Sequence, residues 1–258
     1  MKLTEEQLDW LVERIPEPER SPFGGRPPAD RRKVVRGIFW ILDNGAKWKD
    51  LPEKFGSKST VHRWFQKWVK DGVFEKIMRD AGKCVEERDG FRLYECFIDG
   101  TFIKAKGGGD GIGKTKSGKG VKIMVLVDAR GLPIAVDTAT AGTHESKLVQ
   151  RLFDFMLTEE VPPLVIGDKA YDSDPLDWIM ANQGVEIVAP HRSNRKIKNY
   201  TQDGRTLRRY VRRWKVERTI SWIQNYRRLC IRWEKSTTLF QGFLNLGCTM
   251  LLLRQVLG

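Results

Sequence analysis

Three carboxylates carry the chemistry that can be read from this chain. Asp99 closes the apolar run of ECFIDGTF, and Asp168 closes that of LVIGDKAYD. Glu217 is the only acid between Gly204 and Trp233, in the otherwise polybasic GRTLRRYVRRWKVERTISWIQNYRRLCIRW. Mg²⁺ prefers oxygen ligands, so carboxylates are its natural protein partners. Two such ions about 4 Å apart activate water and stabilise the leaving oxygen in phosphodiester cleavage. A lone carboxylate held among cations, where phosphates would also bind, fits a metal ligand. The plain alternative is an ordinary ion pair of Glu217 with Arg213 or Arg218. Taken together, the three acids point to an enzyme that cuts or joins nucleic acid with metal ions.

Glu217 must arrive from a helix, since the segment from about Thr206 reads as a long one. Tyr210, Arg213, Glu217 and Gln224 are three, four and seven residues apart and so share one face. Leu207 and Trp214 lie on or beside that face, which puts Glu217 near an apolar, core-facing stripe. Gly100 and Gly167, beside the two aspartates, allow close backbone approach. Other acids have local roles to fill. Asp128 belongs to the DARG turn, Asp172 and Asp174 read as caps before DPLDW, and Asp110 sits in a glycine loop with no evident anchor. His144, in GTHES, begins a helix near the expected site. It either contacts a phosphate or water, or simply belongs to the helix cap.

The elements that must position these residues change character near residue 90. Residues 1–90 read as helical: Thr4 with Gln7 marks a helix start, and Asp30 caps DRRKVVRGIFWILDNG, which stops near Gly45. WKDLPEKFG, a break at SKS and TVHRWFQKWVKDG predict a short helix, a turn and a second helix, the helix-turn-helix pattern. Arg63 and Lys67 on that second helix are the candidate DNA contacts, with His62, Gln66 and Lys70 beside them. Trp64 and Trp68, at i and i+4, are read as core before base-stacking platforms. From residue 91 to 258 the order is three strands, helix, strand, helix, strand, then helices. YECFI, VKIMVLV and LPIAVDTAT give the meander, THESKLVQRLFDFMLTEE a helix, and VPPLVIGD and VEIVAP the crossover-linked strands. That is an α/β fold, a ribonuclease-H-like mixed sheet flanked by helices and preceded by a small all-helical domain.

Charge distribution agrees with a polyanion partner. The net charge is +13. Between His191 and Lys235, 15 Lys and Arg face 3 acids, so nearly all the excess lies in this stretch. The four cysteines show no CxxC spacing, which argues against a zinc site or a disulfide framework and for reduced thiols in the cytosol. MKLTEEQLDW, with early acids and no apolar run, does not read as a signal peptide. LFQGFLNLGCTMLLLRQVLG, broken by Gln241, Asn245 and Arg254, reads as a core helix and not a membrane span. Gly108, Gly113, Lys114 and Thr115 match the P-loop spacing. A strand follows them where a P-loop needs a helix, so a basic hairpin loop is expected.

FIDGTFIKAKGGGDG, IGDKAYDS and RRYVRRWKVERTISWIQNYRRLCIRWEKS resemble the first-aspartate, second-aspartate and glutamate regions of bacterial insertion-sequence transposases of the DDE class, insertion-sequence-five group. GGRPPADRRKVVRGIFWILDNGAKWKDLP resembles the helical DNA-binding region of the same group, so the likeness runs over most of the chain. It implies Asp99, Asp168 and Glu217 as ligands of two Mg²⁺ ions, replaceable by Mn²⁺. Tyr210 and Arg213 match signature residues expected near DNA. Gln224 stands where the signature has Lys, and Arg227 or Arg228 would then supply the missing cation. The activity implied is cleavage at terminal inverted repeats followed by attack of the freed 3′-hydroxyl on target DNA. The partners implied are double-stranded DNA and further copies of the chain in a dimer or larger synaptic complex, in the bacterial cytoplasm at the nucleoid. Two rival readings are another ribonuclease-H-like nuclease and a DNA-binding regulator without activity.

Overall fold

Helix starts in the N-terminal third follow from local chemistry. In the computed structural model, which describes residues 3–17, 28–196 and 204–257, the Thr4 side chain accepts from the Gln7 N–H while the Gln7 amide oxygen accepts from the Thr4 N–H. This reciprocal box opens α1 (Glu5–Arg14). Asp30 accepts from the Arg32 and Lys33 N–H groups to open α2 (Arg31–Asn44), which Gly45 ends in the left-handed conformation. Residues 18–27 and most of the basic loop after His191 (residues 197–203) lie outside the described residues.

The expected first helix of the helix-turn-helix is absent. Pro52 and Gly56 divide that stretch into two single 3₁₀ turns, Trp48–Asp50 and Glu53–Phe55. The second helix is present as α3 (Lys58–Lys70), followed by α4 (Val73–Arg88). Val61, Phe65 and Trp68 turn inward from α3, while Arg63 and Lys67 are exposed. Trp68 is therefore core, as expected, with the half-buried Trp64 ring 5.5 Å away.

Seven strands form one mixed sheet. β1 (Cys96–Ala105), β3 (Gly118–Val127) and β4 (Pro133–Thr140) make the antiparallel meander. β5 (Leu164–Ile166) and β6 (Glu186–Val188) extend it in parallel on the other side of β1. Two short strands complete it: β2 (Gly113–Thr115) forms a hairpin with β3, and β7 (Ile231–Arg232) runs beside the end of β1. The P-loop-like glycines thus lead into a hairpin, not a helix. Asp110, expected to be unanchored, accepts from Arg232 and from the Thr237 N–H and hydroxyl.

Alternation along the strands divides the core. Phe97, Ile103, Ile123 and Val125 face one side, Ile98, Met124 and Leu126 the other. Helices α5 (Val149–Phe153) and α6 (Asp174–Ala181) contribute to the second face. The long helix expected over THESKLVQRLFDFMLTEE shrinks to a 3₁₀ turn at Glu145–Lys147 and five residues of α5. The first face is covered by α8 (Trp214–Gln224), the short α9 (Arg227–Cys230) and α10 (Thr237–Leu257). α10 is the expected core helix, and among the described residues no helix is long and apolar enough to cross a membrane.

One core cluster joins Leu8, Val34, Phe65 and Ile77 to Phe97, Val125 and Phe243. The sequence boundary near residue 90 therefore separates two composition types but not two cores. The Phe65 and Phe243 rings stack at 4.3 Å, tying α3 to α10. Truncating a buried Phe of this kind costs about 3–5 kcal/mol.

Candidate active site

Sheet register brings the two aspartates together. Phe97 of β1 pairs with Ile166 of β5 in parallel, and Asp99 and Asp168 each lie two residues further on. Asp99 remains within β1 opposite Val125. Asp168 follows the end of β5 and caps the 3₁₀ turn Lys169–Tyr171, accepting from the Ala170 N–H at 2.8 Å. Burial pushes the Asp99 carboxyl up to about 6; Asp168 and Glu145 push the same way, while Arg213 and the Gly100 N–H oppose them.

Glu217 reaches the site differently from the sequence expectation. The long helix breaks into α7 (Gly204–Leu207), a 3₁₀ segment over Arg208–Arg213, and α8. The apolar face of α8 is Val216, Ile220 and Ile223, so Trp214 is half exposed and not part of a core stripe. Arg213 nevertheless sits one turn before Glu217, donates to it, and donates through its other Nη to Asp99 at 3.0 Å. The Tyr210 ring lies beneath the Arg213 guanidinium at 5.5 Å. Gln224 faces β1, its amide 3.5 Å from the Thr101 hydroxyl. The ion pair that was the plain alternative for Glu217 is therefore present, and the same arginine joins Glu217 to Asp99.

The donor chemistry of the three acids suits a divalent cation, but their present spacing does not. All three acids offer oxygen, the donor type Mg²⁺ and Mn²⁺ take. The Arg213 guanidinium already supplies positive charge between Asp99 and Glu217. As they stand, no three acid, His or Cys side chains among the described residues converge tightly enough to hold a metal. Arg213 occupies the position between Asp99 and Glu217, donating to both.

Several cations of the basic stretch have structural work. Arg228 is buried, donates to Glu234 through Nε at 2.8 Å and Nη2 at 2.5 Å, and donates to the Ala46 carbonyl at 2.6 Å. It therefore offers no surface to DNA, contrary to the expectation for it; its partner Glu234 lies six residues on. Arg212 and Lys215 meet the buried Glu95 at 2.6 and 3.5 Å. Arg218 donates to the Arg130 carbonyl at 2.6 Å. Arg227 is exposed, as are Arg208 and Arg209.

The remaining acids separate by role. Asp128 accepts from the Arg92, Arg130 and Leu132 N–H groups, as a turn-holder should. Asp172, expected to cap, instead gathers His191, the Arg192 N–H and Arg195. His144 caps the turn at Glu145 and meets Arg192 at 3.0 Å. Burial and the Arg192 charge hold its pKa down.

A family model described as a transposase DDE domain matches residues 91–253. The chain belongs to that family. Residues 3–78 match a second model, described as a putative transposase of the IS4/5 family, so the DDE chain is of the bacterial insertion-sequence kind. It is 30% identical over 145 residues to a putative transposase for insertion sequence element IS402 of Burkholderia cepacia, a stretch covering 51% of this chain and 62% of that protein. It is 30% identical over 137 residues to a putative transposase for insertion sequence element IS6501 of Brucella ovis, covering 52% and 98%. A piggyBac transposase synaptic complex with hairpin DNA matches with TM-score 0.52 at 13% identity, over 96% of this chain and 71% of that one. Identity that low speaks to fold alone, and it agrees with the ribonuclease-H-like sheet of this DDE chain. Two polar residues near the DDE site had no sequence signal of their own: Glu145, inside GTHES, and the buried Tyr171, inside DKAYD.

Proposed function

We propose that this chain is a DNA transposase that cleaves the terminal inverted repeats of an insertion sequence and joins the freed 3′-hydroxyl ends to target DNA. The observation that carries the reading is the link of Asp99 to both other acids, by strand register to Asp168 and through Arg213 to Glu217. Asp99 and Asp168 lie at matched positions of neighbouring strands, and Arg213 ties Asp99 to Glu217. Membership of the DDE family supports the same assignment.

Asp99, Asp168 and Glu217 would hold two Mg²⁺ ions, or Mn²⁺ in their place. Such ions supply an activated water and stabilisation of the leaving oxygen. The chain's own residues set up the substrate. Asp99 is fixed by the sheet and by the Gly100 N–H at 2.9 Å. Arg213 and Tyr210 lie at the mouth of the site and would meet the scissile phosphate once Arg213 leaves the acids. Arg63 and Lys67 on the outer face of α3, with Arg227 beyond α8, would grip duplex DNA through phosphates. Gln224 would hydrogen-bond at the cleaved end without adding charge. Joining two ends in concert calls for two or more copies of the chain.

The test is an assay with labelled duplexes carrying the element's ends, with Mg²⁺, comparing the wild type with Glu217→Gln. Site-specific nicking and joining that disappear in the variant support the reading. End binding without cleavage by either protein favours a regulator, and cleavage that survives Glu217→Gln removes Glu217 from the triad.

A further inference from the structure

Where β1 ends, seven residues past Asp99, two lysines share one tryptophan ring. Lys47 Nζ lies 5.7 Å from the centroid of a Trp233 ring and Lys106 Nζ lies 5.9 Å from one. Lys106 follows the last residue of β1, Trp233 follows the last residue of β7, and Lys47 comes from the N-terminal helical region, just before the turn Trp48–Asp50. Both lysines are exposed and Trp233 is half-buried. Two like charges at one ring repel each other, and a surface cation–π contact is weak.

The fold fixes this pair and removes the acids around it. Arg228 donates to the Ala46 carbonyl, beside Lys47, and to Glu234, beside Trp233. Arg232 donates to Asp110 and to the Lys235 carbonyl, while its own carbonyl accepts from the Lys106 N–H at 2.9 Å. Both arginines are buried, and they take up Glu234 and Asp110, the acids nearest in this part of the chain. Among the described residues neither Lys47 nor Lys106 has an ion-pair partner. Lys104 and Lys235, also exposed, add to the same positive patch.

We propose that Lys47, Trp233 and Lys106 form a phosphate-binding point, remote from the three acids, that grips the backbone of the duplex whose cleaved end lies at those acids. The proposal rests on the transposase reading above. β1 sets the span: seven residues at about 3.3 Å each give about 23 Å. Phosphates advance about 3.4 Å per base pair along one strand, so the contact falls about seven base pairs from the scissile bond. Polar and cationic groups line the way. Gln224 faces Thr101, and exposed Arg227 packs its backbone against Gly45, two residues before Lys47. Lys47 belongs to the same helical region as Arg63 and Lys67, which puts the contact on the element side of the cut. Lysine ammonium groups meet phosphate without reading bases, so this grip sets distance and orientation and not sequence.

Fluorescence anisotropy of the full chain tests this without cleavage, in chelator, over a series of salt concentrations. The probes are two labelled duplexes carrying the element's end, one reaching about twelve base pairs past the cleavage position and one about four, on either side of the expected contact at about 3.4 Å per base pair. With Lys47→Gln and Lys106→Gln combined, the salt slope on the longer duplex is expected to fall by about 1.8, the loss of two phosphate contacts. On the shorter duplex the variant should bind as the wild type does, and its melting temperature without DNA should be nearly unchanged. An unchanged slope on the longer duplex, with Arg63→Ala and Lys67→Ala still lowering it, overturns the proposal and leaves the DNA-binding reading standing. An equal fall on both duplexes also overturns it, because the phosphates would then lie close to the cut. If the wild type shows no salt-dependent binding to either duplex, the transposase reading fails and this proposal fails with it.

Discussion

Arg213 spans the site: one Nη donates to Asp99 at 3.0 Å while the other donates to Glu217, four residues along the helix. Alone, the two carboxylates would repel, and the guanidinium between them offsets that repulsion. Arg213→Gln keeps hydrogen bonding but removes the charge. Calorimetry of the DNA-free protein should show Mn²⁺ binding severalfold tighter, because nothing competes. End cleavage should fall by about tenfold or more if the arginine then serves the phosphate. Weaker Mn²⁺ binding in this variant would refute the competition.

Asp99 makes stability depend on pH in a direction opposite to that of most paired carboxylates. Burial raises its pKa from 3.8 to about 6. A raised carboxyl pKa means that the unfolded chain ionises more readily than the folded one. The penalty is absent below about pH 4, grows as pH rises through about 6, and is full above that. In chelator, Asp99→Asn should therefore be more stable than the wild type at pH 7.5, by roughly 1–3 kcal/mol at most, and similar to it at pH 4. Thermal melts at the two pH values decide this; a variant less stable at both would show that the Arg213 contact outweighs burial.

Arg228 and the pair Arg63 and Lys67 should behave as opposites. Arg228→Met leaves Glu234 buried without its partner, and loss of one partner from a buried pair costs about 3–5 kcal/mol. Arg63→Ala and Lys67→Ala touch exposed side chains, and Lys67 gives up only a surface pair with Asp71. They should leave the melting temperature nearly unchanged and reduce the salt dependence of duplex binding by about one phosphate contact each. Normal stability of Arg228→Met would overturn its structural assignment.

Gln224→Lys tests the departure from the family signature. The Gln224 side chain is partly exposed and faces Thr101, two residues beyond Asp99 on β1. A lysine there should strengthen binding to duplexes bearing the element's ends and steepen the salt slope by about 0.9. An unchanged slope would mean that DNA does not approach this point.

The sequence by itself determined the elements whose cause is local. Thr4 with Gln7 and Asp30 announce their helices because a side chain meets unpaired N–H groups within three residues. The order of β1, β3, β4, β5 and β6 was legible because alternation, β-branching and turn residues repeat at short range, whereas the short β2 and β7 were not; the three acids stood out because two close apolar runs and one sits alone among cations. Helix lengths were not legible. The segment before Glu217 keeps helical spacing but takes 3₁₀ form over Arg208–Arg213, where Arg212 reaches back to the buried Glu95. Only the tertiary structure decided which arginines hold the fold and which face outward, since Arg228 and Arg227 are adjacent and chemically alike. One is buried against Glu234 and Ala46, the other exposed. Burial is a property of the packed neighbours, and those neighbours come from distant parts of the chain. The same reason brings the turns of Glu145 and Tyr171 together, since β4 and β5 end on the same side of the sheet and the turns after them pack against each other.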